Sequence, residues 1–302
     1  MADSSYYVGA CPDCNATLRF AHAQNSALGY SGTNAGGHLT IEFSEFDNNR
    51  SGIGPNSLNN DDSPSPQNGA CPNDTTQSCT VIRFNLVHDN NNPNTPALGI
   101  TATTPIGTGI FVSGGENDTI RDNLVFHQGA WGILLVDFPD TETPPPIANC
   151  NGGIPNFPSP FGPACYFVAY GNRVIGNHLR GNGFFGNPSN GDLADASLDP
   201  SSLGLAGTDN CFSANVNDLT GTPSSDPANI QSPSVLGTCG VTGHGGDMGE
   251  LLNQITCAAL GLCPTGGSYP QTTKVHMLPI PEDLETMPDP CAGVPSNPWC
   301  NE

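Results

Sequence analysis

Asp137, Asp140 and Glu142 follow Trp131 and Phe138 in one short stretch of this chain. Those residue types suit a sugar site. An aromatic ring stacks on the apolar face of a sugar, while a carboxylate hydrogen-bonds its hydroxyls or acts as general acid or base. The same oxygens could ligate Ca2+, or the stretch could be a solvated loop in an acidic protein. Asp137 and Asp140 are thus candidate catalytic groups, and Trp131, Phe138 and Glu142 candidate substrate contacts.

Basic residues are scarce. Seven Lys and Arg stand against 28 Asp and Glu, for a net charge of −21. Nucleic-acid binding requires a basic footprint, so that class is excluded. An anionic membrane surface would repel the chain, and no segment is long and apolar enough to span a bilayer. Twelve cysteines, an even number, lie mostly in Gly-, Pro- and Asn-rich segments. That usage fits an oxidising, extracellular setting in which disulfides hold loops with little core. Cys71–Cys79, Cys150–Cys165, Cys257–Cys263 and Cys291–Cys300 are the local pairings that proximity suggests. Cys11 and Cys14 have metal-site or redox spacing. No second pair matches them for zinc, and no βαβ context surrounds them, so they read as structural disulfide cysteines.

The elements that would position these groups come from an internal repeat. An apolar residue stands three before an anchor, another two after it, and a polar residue five after it. Asn85, Asn123 and Asn177 are the plain anchors, with Ile82, Ile120 and Val174 before them, Val87, Val125 and Leu179 after them, and then Asn90, Gln128 and Asn182. Ser44 anchors a further copy with Ile41, Phe46 and Asn49. Asn210 reads as another with Phe212 and Asn215, and Ala21 as another with Leu18, Ala23 and Ser26. Such spacing predicts a coil whose apolar residues line the interior and whose bends stack Asn upon Asn. Gly52-Ile53, Gly109-Ile110 and Gly132-Ile133 mark the next bend and strand. The anchors are unevenly spaced, so insertions are expected at 55–78, 138–169 and 188–208 along one edge, and at 91–108 on another.

Two residues before the anchors stand Arg19, Glu42, Arg83 and Arg121 in one register. They form either a basic stripe that grips carboxylates or an Arg–Glu ladder satisfied between neighbouring coils.

With stretches such as residues 119–126 and 172–182, the chain resembles the right-handed parallel β-helix proteins, the pectate-lyase-like group with carbohydrate-binding and sugar-hydrolase repeats. The resemblance covers roughly residues 16–222. It implies an all-β, single-stranded, right-handed parallel β-helix solenoid over residues 1–222. Residues 223–302 then form a short C-terminal capping helix, near 247–260, and an irregular, disulfide-bonded tail packed on the solenoid. It also implies an extracellular, monomeric protein that binds extended polysaccharide or a cell-surface glycan, with cleavage left open as lyase or hydrolase. Lyases of this group use an Arg or Lys as base beside bound Ca2+, which makes Arg83 and Arg121 candidate catalytic residues and Ca2+ the cofactor to consider. The Gly243-His244-Gly245 triplet is similar to that of polygalacturonase-type hydrolases and would pair with Asp61-Asp62. The other motifs of those enzymes are absent. The second reading, from a different class, is a non-enzymatic surface or adhesion scaffold.

Overall fold

The computed structural model describes residues 3–11, 13–60, 79–95, 104–159, 162–243 and isolated positions up to residue 296. Its strands come in threes. The first coil carries β1 (Ser4–Tyr7), β2 (Ala16–Arg19) and β3 (His22–Gln24). The second carries β4 (Leu28–Thr33), β5 (Leu39–Glu42) and β6 (Glu45–Asp47), and the third β7 (Ser51–Asn56), β8 (Thr80–Arg83) and β9 (Leu86–His88). The fourth carries β10 (Thr108–Ser113), β11 (Thr119–Arg121) and β12 (Leu124–Phe126). The fifth opens with β13 (Trp131–Val136), inserts β14 (Phe138–Asp140), β15 (Ile154–Ser159) and β16 (Gly162–Phe167), and resumes at β17 (Arg173–Ile175) and β18 (His178–Arg180). The sixth carries β19 (Gly191–Ala196), β20 (Cys211–Ser213) and β21 (Val216–Asn217), and β22 (Ser225–Asp226) begins a seventh.

Leading strands pair with leading strands, middle with middle and last with last, giving three parallel sheets in the orders β1-β4-β7-β10-β13-β19-β22, β2-β5-β8-β11-β17-β20 and β3-β6-β9-β12-β18-β21. The chain is therefore a three-sided parallel β-solenoid. The inserted strands form a separate antiparallel sheet, β14-β16-β15.

The repeat residues face inward. Ile41, Ile82, Ile120, Val174 and Phe212 line the second sheet, and Ala23, Phe46, Val87, Val125 and Leu179 the third. Tyr30, Ile53, Ile110, Ile133 and Leu193 complete the interior from the first sheet. That sheet is also covered on its outer face, where Leu28, Phe111, Trp131 and Leu134 pack with Phe185, Cys257 and Tyr269. Burial on both faces explains its unbroken apolar runs. A glycine begins the inner face of these strands because a Cβ on Gly109 or Gly132 would meet the carbonyl oxygen of the next coil at 2.6 Å.

Side-chain amides tie the coils together. The Asn123 Nδ2 donates back to Ile82 O and forward to Asn177 Oδ1, and its Oδ1 accepts from the N and Nδ2 of Asn85. This ladder begins at Ser44 and continues through Asn215 to Gln231. A parallel ladder joins Ser26, Asn49, Asn90, Gln128 and Asn182. One anchor is corrected by the structure. Asn215, not Asn210, continues the Asn177 ladder, with Phe212 as its leading apolar residue. Asn210 belongs to a third ladder with Asp118 and Asn172.

Every described passage from the second to the third sheet takes two residues, whereas the long insertions lie between the first and second sheets and, at 89–107, between the third and the first. The last of these runs over 197–210, because β19 occupies part of the stretch expected to be loop. Disulfides link Cys11–Cys14, Cys150–Cys165, Cys211–Cys239 and Cys257–Cys263. Cys79 and Cys291 are also disulfide-bonded, while Cys71 and Cys300 lie outside the described residues. Ile230 and Leu236 extend the core beyond residue 222. Apart from Gly249 and Cys257, the helix expected at 247–260 lies outside the described residues. Among those residues no helix is long and apolar enough to cross a membrane.

Candidate functional site

The two-residue corner between the second and third sheets has a fixed logic. Its second residue turns inward as the ladder residue, and its first takes a left-handed backbone. That first position holds Phe20 (φ 56°), Phe43 (φ 49°), Phe84 (φ 56°), Asp122 (φ 55°), Gly176 (φ 66°) and Ala214 (φ 54°). Gly, Asn and Asp tolerate this conformation, whereas a side chain such as Phe costs about 1–2 kcal/mol there. Three consecutive coils nevertheless place Phe at it, and the rings point outward, exposed by 77%, 47% and 41%. They stack with centroids 6.0 Å apart for Phe20–Phe43 and 5.3 Å for Phe43–Phe84, within the range that aromatic pairs favour. Arg83 and Arg121 both lie over the Phe84 ring, at 5.8 and 5.4 Å, a cation–π arrangement. Exposed apolar rows of this kind mark interaction surfaces, and strain retained without a packing gain clusters at functional positions.

Beside the row, Glu42 accepts from Arg19 Nε and Arg83 Nε, both at 2.7 Å. Burial pushes the Glu42 carboxyl up, but hydrogen bonds and charge from Arg83 and Arg19 outweigh it and hold the group below its ordinary value. Arg121 pairs with Asp122 at 2.6 Å. Arg83 and Arg121 thus stand where the repeat places them, partly exposed, Arg83 in an inter-coil ladder with Glu42 and Arg19 and Arg121 paired within its own coil to Asp122.

The third sheet carries imidazole–carboxylate pairs on its outer face. His22 Nε2 lies 2.5 Å from Asp47 Oδ1, His88 Nε2 3.1 Å from Glu45 Oε1, and His178 Nδ1 2.8 Å from Asp218 Oδ1. Among the described residues, His22, Glu45 and Asp47 form the one group whose metal-type ligand atoms converge. Of the seven Lys and Arg, five (Arg19, Arg83, Arg121, Arg173 and Arg180) lie on strands of the second and third sheets, so this side gathers most of the cationic charge.

The carboxylates on the insertion-bearing edge are placed differently. Asp137 is buried and accepts from Tyr166 OH at 2.8 Å, Ala169 N at 2.8 Å and Leu198 N at 2.9 Å. Burial pushes its carboxyl up to about 8, against the pull of these donors. Asp140 is buried too, accepts from Asn59 N and Glu142 N at 2.7 and 2.9 Å, and is raised by burial. Asp137 holds inserted loops to the end of β13 and Asp140 joins two insertions to each other, and a Ca2+ ion would have to displace those donors. Trp131 is buried, its indole N–H donating to Ser189 O at 2.7 Å. Phe138 is half-buried and Glu142 exposed. The five therefore do not form one open aromatic–carboxylate surface. Asp61, Asp62 and His244 lie outside the described residues.

Position alone betrays the Phe row in the sequence, since each Phe directly precedes an anchor. No family model matches the chain, and no curated protein or solved structure is similar to it.

Proposed function

We propose that the protein is an extracellular, right-handed β-helix that binds an extended polysaccharide along the corner between its second and third sheets. The exposed, stacked row of Phe20, Phe43 and Phe84 carries this reading. A pyranose ring offers an apolar C–H face to an aromatic ring, and a row that repeats with every coil suits a polymer that repeats with every sugar. The adjoining arginines are largely neutralised by Glu42 and Asp122, which favours a neutral glycan over a polyanion. The resemblance to pectate-lyase-like repeats supports the same ligand class, and the disulfides support an oxidising compartment.

The burial of Asp137 and Asp140 favours binding without cleavage, and so keeps a surface or adhesion role as the second reading. Affinity electrophoresis against neutral and acidic polysaccharides separates these readings. Wild-type protein should be retarded by a neutral glycan, with Phe43→Ala and Phe84→Ala each weakening retardation about tenfold, the loss of roughly one stacking contact of 1–1.5 kcal/mol. Equal retardation of variants and parent would refute the ladder as the binding edge. No retardation by any glycan would move the row to a protein-contacting role, and new reducing ends would restore a hydrolase.

A further inference from the structure

We infer that His22, Glu45, Asp47 and His88 form a binding site for a transition-metal ion of the Zn2+ class on the outer face of the third sheet. In-register pairing creates the arrangement. His22 stands beside Glu45, and Asp47 beside His88, on neighbouring parallel strands. Glu45 and Asp47 lie two residues apart on β6, so their side chains share one face. One ligand atom each from His22, Glu45 and Asp47 falls within 4.8 Å of the others. His88 stands outside that converging trio, but its Nε2 lies 3.1 Å from Glu45 Oε1, so a side-chain rotation would bring it in as the fourth ligand.

The donor set decides the class of ion. Two imidazole nitrogens and two carboxylate oxygens match the N/O ligands of four-coordinate zinc. Ca2+ and Mg2+ take oxygen ligands instead, and thiolate-preferring ions lack a cysteine here.

A second observation points the same way. His88 Nδ1 lies 2.9 Å from Asp89 Oδ2. A carboxylate on the far nitrogen of an imidazole is the outer-shell arrangement of zinc-binding histidines; here Nε2 donates to Glu45 Oε1, and an ion would take the place of that proton. The His88 ring is also stacked on Phe126, with centroids 4.9 Å apart and planes 3° from parallel. Its ring is thus held beside the trio before any ion arrives. All four residues stand on strands tied into the stack, which gives the precision a metal site needs. The same sheet supplies a contrast. His178 pairs with Asp218, but its neighbours on the adjacent strands are Leu124 and Val216, so that pair has no second carboxylate and remains an ion pair.

The inference is independent of glycan binding. Its test titrates chelator-treated protein with ZnCl2 by calorimetry and with CoCl2 by visible absorption. One equivalent should bind, and Co2+ should develop the intense d–d bands of a tetrahedral N/O site. Zinc should also raise the melting temperature. His22→Ala, Asp47→Asn and His88→Ala should each lower affinity at least tenfold. Asp89→Asn, acting through His88, should lower it about tenfold, and His178→Ala should leave it unchanged. Far-UV circular dichroism of the metal-free variants confirms that they are folded. The absence of a Co2+ spectrum, or unchanged binding by folded His22→Ala and His88→Ala, would overturn the assignment, as would an equal loss in His178→Ala.

Discussion

Replacing Asn123 by alanine isolates the contribution of an amide ladder. Asn123 is buried, and its side chain makes four hydrogen bonds, all at 3.0 Å, to Asn85 N, Asn85 Nδ2, Ile82 O and Asn177 Oδ1. Truncation leaves the Asn85 N–H buried without its acceptor, at about 1–3 kcal/mol, and deletes three further bonds worth about 0.5–1.5 kcal/mol each. The expected loss is about 5 kcal/mol, a large part of the roughly 5–15 kcal/mol that stabilises a domain. Asn123→Asp keeps the acceptor for Asn85 but loses both donors, so it should fall between parent and alanine variant. Urea unfolding followed by circular dichroism, with disulfides intact, measures all three. A loss below about 0.5 kcal/mol for Asn123→Ala, the range of ordinary surface changes, would refute the view that the ladder couples the coils.

Two further outcomes follow from buried or exposed polar groups. Burial raises the carboxyls of Asp118, Asp137 and Asp195 to about 7, 8 and 6 in the folded chain, from an ordinary value of 3.8. The folded state therefore holds more protons than the unfolded state between about pH 4 and 8, and stability falls as pH rises through that window. Self-repulsion in a chain of charge −21 acts in the same direction. The melting temperature should be higher at pH 5 than at pH 8, and a flat or inverted profile would contradict the burial of these groups. Asn15, Asn49 and Asn117 each begin an Asn-x-Ser/Thr acceptor sequence for N-glycosylation, and Asn15 and Asn117 are exposed whereas Asn49 is buried in a ladder. Folded protein from a glycosylating host should carry glycans at Asn15 and Asn117 and none at Asn49, as peptide mass mapping would reveal.

The stacking pattern was legible because the physics of a coil forces it. Ile82, Ile120 and Val174 must face inward, and the amides that follow must sit at a bend. The shift from Asn215 to Asn210 has an equally physical origin. Two ladders run five residues apart, at Asn172 and Asn177 and again at Asn210 and Asn215, so the pattern nearly overlays itself when slid by five. Phe212 fits either register, and only the pairing of β20 with β17 decides. The surroundings of Asp137 and Asp140 were not legible, for another reason. Their spacing next to aromatic residues says nothing about whether an insertion folds back and needs acceptors for its own N–H groups, and here it does. The Phe row was hidden because it has no period of its own. The one sequence signal is that each member directly precedes an anchor, and the backbone then shows that this position is a left-handed bend that turns the ring outward.

The uniform two-residue corner has a consequence for how this molecule tolerates change. All length variation enters elsewhere, between the first and second sheets or between the third and the first. An insertion there lengthens a loop without rotating or displacing the next Phe, Arg or His along the opposite ridge. The molecule thus works as a ruler whose graduations are independent of its ornaments. Residues 199–208 could be exchanged or enlarged while the spacing along that ridge stays the same, and adding a whole coil would extend the ridge by one graduation without disturbing those already in place.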